Sequence, residues 1–232
     1  MNTHNKKVIL VLGGTGAIGS CIADMLEQQG DRVLRHGTTG PYAYDVRAKQ
    51  DAKHFVDRIV QECGRIDAVV NSLSSPLRIG VFEKKTWHDF LEQFEVQTKA
   101  VVEIEAQIIF YMKKQGKGKI VHIISSAVIG TPPTHTSDYV AAKYAMLGLT
   151  NVMAKELGRF HITVNAVSPG FINNKFNAEM PEKIAEIIAA QTPLQTLVTE
   201  KDVAHAVLFL LSDGADHITG EHINLSGGQV IE

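Results

Sequence analysis

The stretch that most restricts how this chain can fold is Val8–Gly19, in which Val-Ile-Leu-Val-Leu is followed by Gly-Gly-Thr-Gly-Ala-Ile-Gly. Five apolar residues without alternation suit a strand buried on both faces, as in a parallel sheet. Four glycines in the next seven residues then permit a tight turn. Ile18, Ile22, Met25 and Leu26 recur at helical spacing up to Gly30. Strand, glycine turn and helix in that order make Gly14, Gly16 and Gly19 readable as a dinucleotide-binding G-x-G-x-x-G. The glycines let the backbone approach a pyrophosphate, and the helix N-terminus faces its charge. The competing reading is a merely tight strand-to-helix turn.

The same alternation continues. Arg32–His36, Tyr42–Val46, Ile66–Asn71, Lys119–Ile124, Ile162–Val167 and Glu221–Leu225 read as strands. Residues 48–63, 87–114 (in two pieces), 138–160, 181–190 and 200–212 carry helical spacing. This predicts an α/β fold, a doubly wound parallel sheet of about seven strands with helices on both faces and right-handed crossovers. No linker, repeat or low-complexity segment interrupts it, so residues 1–232 are expected to form a single domain. In such folds ligands lie at the carboxyl ends of the strands. The polar segments 13–19, 71–76, 125–126 and 168–174 should therefore converge.

Several function classes are excluded. With 44% hydrophobic and 21% charged residues the chain is globular, and a net charge of −2 offers no nucleic-acid footprint. Lys113, Lys114, Lys117 and Lys119 read as a helix end and a solvated loop. Cys21 and Cys63 form no disulfide framework and read as buried free thiols. The run Val8–Leu12 is too short for a signal-peptide core, and no stretch approaches the ~18 apolar residues of a membrane span. A soluble cytoplasmic protein without membrane or nucleic-acid partners is the expectation. Ten histidines show no metal-binding spacing, so no metal is expected; His122 reads as a strand histidine and His135 as a solvated loop residue.

The chemistry centres on Ser-Asp-Tyr-Val-Ala-Ala-Lys, residues 137–143. Tyr139 and Lys143, four apart in a helix, share a face. An ammonium beside a phenol lowers the phenol's pKa, making Tyr139 a candidate general acid/base; the bland alternative is a solvated helix face. Ser126 ends the fifth strand thirteen residues earlier, with Ser125 as its rival. About 20 positions past the glycines, a cofactor without a 2′-phosphate usually meets an acidic residue. The stretch Leu34–Gly40 has none. Arg35, His36, Thr38 and Thr39 could hold a 2′-phosphate, which favours NADP(H) over NAD(H), unless Arg35 and His36 only decorate a strand end.

Taken together, the glycine turn, Asn71 at a strand end, Ser126, Tyr139-x-x-x-Lys143 and Pro169-Gly170 stand in the order and spacing of the short-chain dehydrogenase/reductase family. Over roughly residues 7–230 the chain resembles its compact branch of 3-oxoacyl-carrier-protein-reductase-like enzymes. The resemblance implies a Rossmann-type fold and oxidoreduction of a small carbonyl or alcohol substrate. Ser126 would hold the substrate oxygen, Tyr139 would exchange its proton, and Lys143 would tune Tyr139 and bind the nicotinamide ribose. It implies cofactor contacts from Gly13, Thr15, Gly16, Ala17, Ile18 and Gly19. It adds Asp45 and Val46 at the adenine, Asn71 and Ser72 near the ribose, and Pro169, Gly170, Ile172 and Asn174 on the nicotinamide side. Departures are Leu12 for a threonine, Leu73 and Ser74 for small residues, and Gln97 for the asparagine that holds a water beside the lysine. A homodimer or homotetramer is implied, through faces bearing Val101, Ile104, Ile108, Ala145, Leu149 and Val152. Phe171, Phe176 and Met180 are candidates for the substrate wall. A non-catalytic relative that senses cofactor or scaffolds a partner is the alternative.

Overall fold

The computed structural model describes residues 6–48, 51–174 and 182–231. Its strands are β1 (Val8–Leu12), β2 (Arg32–Gly37), β3 (Tyr42–Ala43), β4 (Ala68–Asn71), β5 (Gly118–Ile123), β6 (Ile162–Pro169) and β7 (His222–Leu225). They form one parallel sheet in the order β3-β2-β1-β4-β5-β6-β7. The helices are α1 (Ala17–Gln28), α2 (Ala52–Cys63), α3 (Trp87–Ala100), α4 (Ala106–Gln115), α5 (Ser137–Leu157), α6 (Glu182–Gln191) and α7 (Glu200–Leu211).

Strand alternation decides which helix packs where. Val8, Leu10 and Leu12 face a core with Phe55 and Ile59 of α2, Ala100 of α3, Ile108 of α4 and Leu157 of α5. Ile9 and Val11 face the opposite layer, against Ile22 and Leu26 of α1 and Val203, Val207 and Leu210 of α7. The sheet is thus covered on both faces, which is why its strands read as unbroken apolar runs.

Three details differ from the sequence reading. The third strand shrinks from Tyr42–Val46 to two residues. Only Thr38–Pro41 separate it from β2, whereas a full parallel pairing needs a crossover of a dozen or more residues; a two-residue bridge is what so short a link allows. The 87–114 region is in two pieces as read, α3 and α4, joined through a π turn, Val101–Glu105. Val101, Ile104 and Ile108, expected on an outer face, are instead core residues, while Val152 is exposed. Cys21 and Cys63 are free and half-buried. Phe176 and Met180 lie outside the described residues. Among those described, no helix is long and apolar enough to cross a membrane.

Candidate active site

The carboxyl ends of the strands open into one cavity of ≈1420 Å³. The glycine turn forms one side of it. Gly13 has φ +73, and a Cβ there would lie 2.8 Å from the Ser72 carbonyl; a Cβ on Gly14 would lie 2.9 Å from the Val11 carbonyl. A Cβ on Gly19 would overlap the Gly13 carbonyl. Each glycine is thus required by backbone approach. Gly16 is the N-cap of α1 with no side-chain cap, and the first turn carries no acidic residue. The helix therefore presents free N–H groups and its positive end to the cavity, a ready anion site.

Of the residues proposed for a cofactor, Gly13, Thr15, Gly16, Ala17, Ile18, His36, Thr38, Asp45, Val46, Ser72, Pro169, Gly170, Ile172 and Asn174 line this cavity. Gly19 is buried behind the turn. Asn174 donates to Glu200 (2.9 Å). The Asp45 carboxylate accepts from the Arg47 backbone N–H (3.0 Å), the leading cause of its lowered pKa.

The expected 2′-phosphate pair behaves differently. The Arg35 guanidinium turns to α1, pairing with Asp24 (2.7 Å) and Glu27 (2.6 Å). His36 is buried, and its Nδ1 accepts from the Gly13 N–H (3.2 Å) while its Nε2 donates to the Tyr44 carbonyl (2.8 Å). Both ring nitrogens are spent pinning the glycine turn to β2, and burial lowers the imidazole's pKa. Among the described residues the guanidinium that lines this end belongs to Arg47, which pairs there with Asp45 (3.3 Å) and whose role no sequence motif signals.

At the other end α5 carries Tyr139 and Lys143 into the cavity, with the Lys143 ammonium 5.6 Å from the Tyr139 ring centre. The hydroxyl that meets the Tyr139 phenol belongs to Ser125. Ser126, favoured by spacing, opens the 3-10 turn Ser126–Val128 and lines the same cavity. Counting back from Tyr139 points to Ser126, whereas the register of β5 sets where each serine lies. Parallel pairing with β4 and β6 fixes β5 to Ile123, and Ser125 follows two residues on.

Burial pushes the Tyr139 phenol up, and the hydrogen bond from Ser125 works against it. Burial also pushes Lys143 down, to about 7. Its Nζ donates to the Ile123 carbonyl (3.1 Å). So in the protein alone, desolvation, rather than the lysine, dominates the phenol. Gln97 sits behind this end, buried, donating to Gln93 (2.8 Å), and its Oε1 is a buried acceptor with no partner among the described residues.

A parallel doubly wound sheet with a glycine turn and a Ser–Tyr–Lys group sharing one cavity defines a nucleotide-dependent oxidoreductase architecture. The family model described as enoyl-(acyl carrier protein) reductase matches residues 14–229. The chain belongs to the short-chain dehydrogenase/reductase family. It is 32% identical to the 3-oxoacyl-[acyl-carrier-protein] reductase FabG of Thermotoga maritima over 243 aligned positions, covering 97% of this chain and 98% of that one. It is 29% identical to nodulation protein G of a Rhizobium species, covering 94% and 95%. Among solved structures, Thermoplasma acidophilum aldohexose dehydrogenase has a TM-score of 0.89 at 26% identity, covering 97% and 94%. A variant of actinorhodin polyketide ketoreductase with NADPH has a TM-score of 0.89 at 28% identity, covering 99% of both chains.

Proposed function

We propose that this chain, as a single domain, is an NADPH-dependent reductase of a ketone or other carbonyl, with Tyr139 as proton donor. The observation that carries the reading is the Ser125–Tyr139 hydrogen bond inside the cavity that the glycine turn also lines. The glycine cradle and the uncapped α1 N-terminus fit a dinucleotide pyrophosphate. Thr15, Thr38 and Arg47 stand where the adenosine half would lie. A bound nicotinamide supplies the hydride. The NADPH and NADP carried by structural relatives support the phosphorylated cofactor.

The chain's own residues do the rest. The Ser125 and Tyr139 hydroxyls line the same cavity, and when Ser125 turns its one hydrogen from the phenol to a substrate oxygen, that oxygen can accept from both. A phenol held protonated by burial is ready to give its proton to an oxygen gaining negative charge, which suits reduction. Lys143 spends one donor on Ile123 and has others to offer ribose hydroxyls. Leu73, Pro76, Leu77, Phe171 and Ile188 give the substrate end an apolar wall. The likeness to 3-oxoacyl-[acyl-carrier-protein] reductases makes 3-oxoacyl thioesters the first substrates to test. Exposed Val102, Phe110, Tyr144 and Val152 support assembly as a homo-oligomer.

The test is cofactor oxidation followed at 340 nm across 3-oxoacyl thioesters and simple ketones, with Tyr139→Phe alongside. Turnover should fall by about 10²–10⁴-fold in the variant while NADPH fluorescence titration is unchanged. Wild-type protein that binds NADPH but turns over none of the panel would instead match the non-catalytic alternative.

A further inference from the structure

Behind the cavity lies a buried polar cluster that the reaction described above does not use. Glu105, His122 and Thr150 are fully buried and Asn71 is 1% exposed. The Asn71 amide donates to Glu105 Oε1 (2.8 Å), and His122 Nε2 meets Glu105 Oε2 (2.9 Å). His122 Nδ1 meets the Thr150 hydroxyl (2.7 Å). Both oxygens of this dry carboxyl group are thus partnered, as burial of such a group requires.

The four residues come from four elements. Asn71 ends β4, Glu105 ends the π turn, His122 is in β5, and Thr150 is on α5, the helix that bears Tyr139 and Lys143. The π turn is what brings Glu105 inward. Four-residue steps on an α-helix drift by ~40°, and the wider i→i+5 turn reverses that drift. Ala100, Ile104 and Ile108 thereby stay on the core face with Glu105 beside them.

The cluster reaches the cavity through Asn71. Its carbonyl oxygen accepts from the Leu73 backbone N–H (3.2 Å), shaping the Ser72–Leu73 loop, which lines the cavity and against which Gly13 packs. Next to His122, the Ile123 carbonyl holds Lys143.

We propose that Glu105 is a positioning residue: it fixes Asn71, and with it the cavity wall at Ser72–Leu73, and ties that wall through His122 and Thr150 to the catalytic helix. This rests on the cofactor reading above.

The test is reciprocal. Asn71→Asp places a second carboxylate against Glu105, and Glu105→Gln in that background lets amide and carboxylate exchange places. NADPH affinity and kcat/KM of the full chain should each fall about tenfold in Asn71→Asp and return to within about threefold of wild type in the swapped double variant. Glu105→Leu should lower both about tenfold, with no further loss in an Asn71→Ala background. A swap no better than Asn71→Asp alone overturns the proposal, as does a folded Glu105→Leu protein with wild-type affinity. If Glu105→Leu does not fold, the swap decides. Wild-type protein that binds neither NADPH nor NADH overturns the cofactor reading and this proposal together. Wild-type binding without rescue overturns this one alone.

Discussion

The two ends of the cavity are built on opposite terms. At the Tyr139 end the protein surrounds the working groups: Lys143 is 3% exposed, Tyr139 and Ser125 are half-buried, and desolvation leads the shift of both the lysine amine and the Tyr139 phenol. At the β2 end the charged groups are wet: the Arg47 side chain is 52% exposed and Asp45 is 36% exposed. A buried group takes its properties from the protein, and an exposed one largely from solvent. Substitutions should therefore be costly at the first end and mild at the second.

The sharpest contrast is within one end. Ser125→Ala should lower kcat/KM by about 10²-fold, the scale of a lost hydrogen-bond donor at a developing oxyanion, and Ser126→Ala by less than about threefold. Steady-state kinetics of the two variants checks this, and the reverse ranking would return the role to Ser126.

Lys143 gives a prediction on stability. Its folded pKa of about 7 lies below its ordinary value of 10.5. Between those values the unfolded chain holds the proton and the folded one does not, so stability rises with pH across that window and is lost as pH falls toward 7. The slope from this group approaches about 1.4 kcal/mol per pH unit. Urea unfolding at pH 7.5 to 9.5 should show it in wild type and not in Lys143→Met; equal slopes in the two proteins would mean the lysine is not desolvated.

The smallest effect belongs to the wet end. Arg35 is occupied by Asp24 and Glu27, so Arg35→Ala should change the NADPH dissociation constant by less than about twofold and stability by less than about 1 kcal/mol. Arg47→Ala is the matched comparison. A larger loss of NADPH affinity from Arg35→Ala than from Arg47→Ala would break the assignment of this end.

What was legible in the sequence was whatever local physics fixes. The apolar run and glycines of Val8–Gly19 specify strand, turn and helix without help from the rest of the chain, and the four-residue spacing of Tyr139 and Lys143 places both on one helix face. What was illegible depended on tertiary register. Ser125 and Ser126 are chemically the same, and only the pairing of β5 with its neighbours decides which meets the phenol. Arg35 carries the right charge, but its direction is settled by Asp24 and Glu27 one helix away. Glu105 and His122 sit seventeen residues apart in segments that read as ordinary helix and strand. No local pattern announces that a π turn will bring them together.

The short link between β2 and β3 has a consequence for how the protein behaves in a crowded solution. A parallel sheet ends in two strands whose outer backbone groups are unpaired, and long edges of that kind recruit other chains. Here one outer strand is β3, two residues long, and the other is β7, four residues long. A sheet that tapers at both sides offers a foreign strand too few consecutive hydrogen bonds to hold. The same economy that removes a crossover helix from the β2 side thus protects the folded chain against edge-to-edge aggregation.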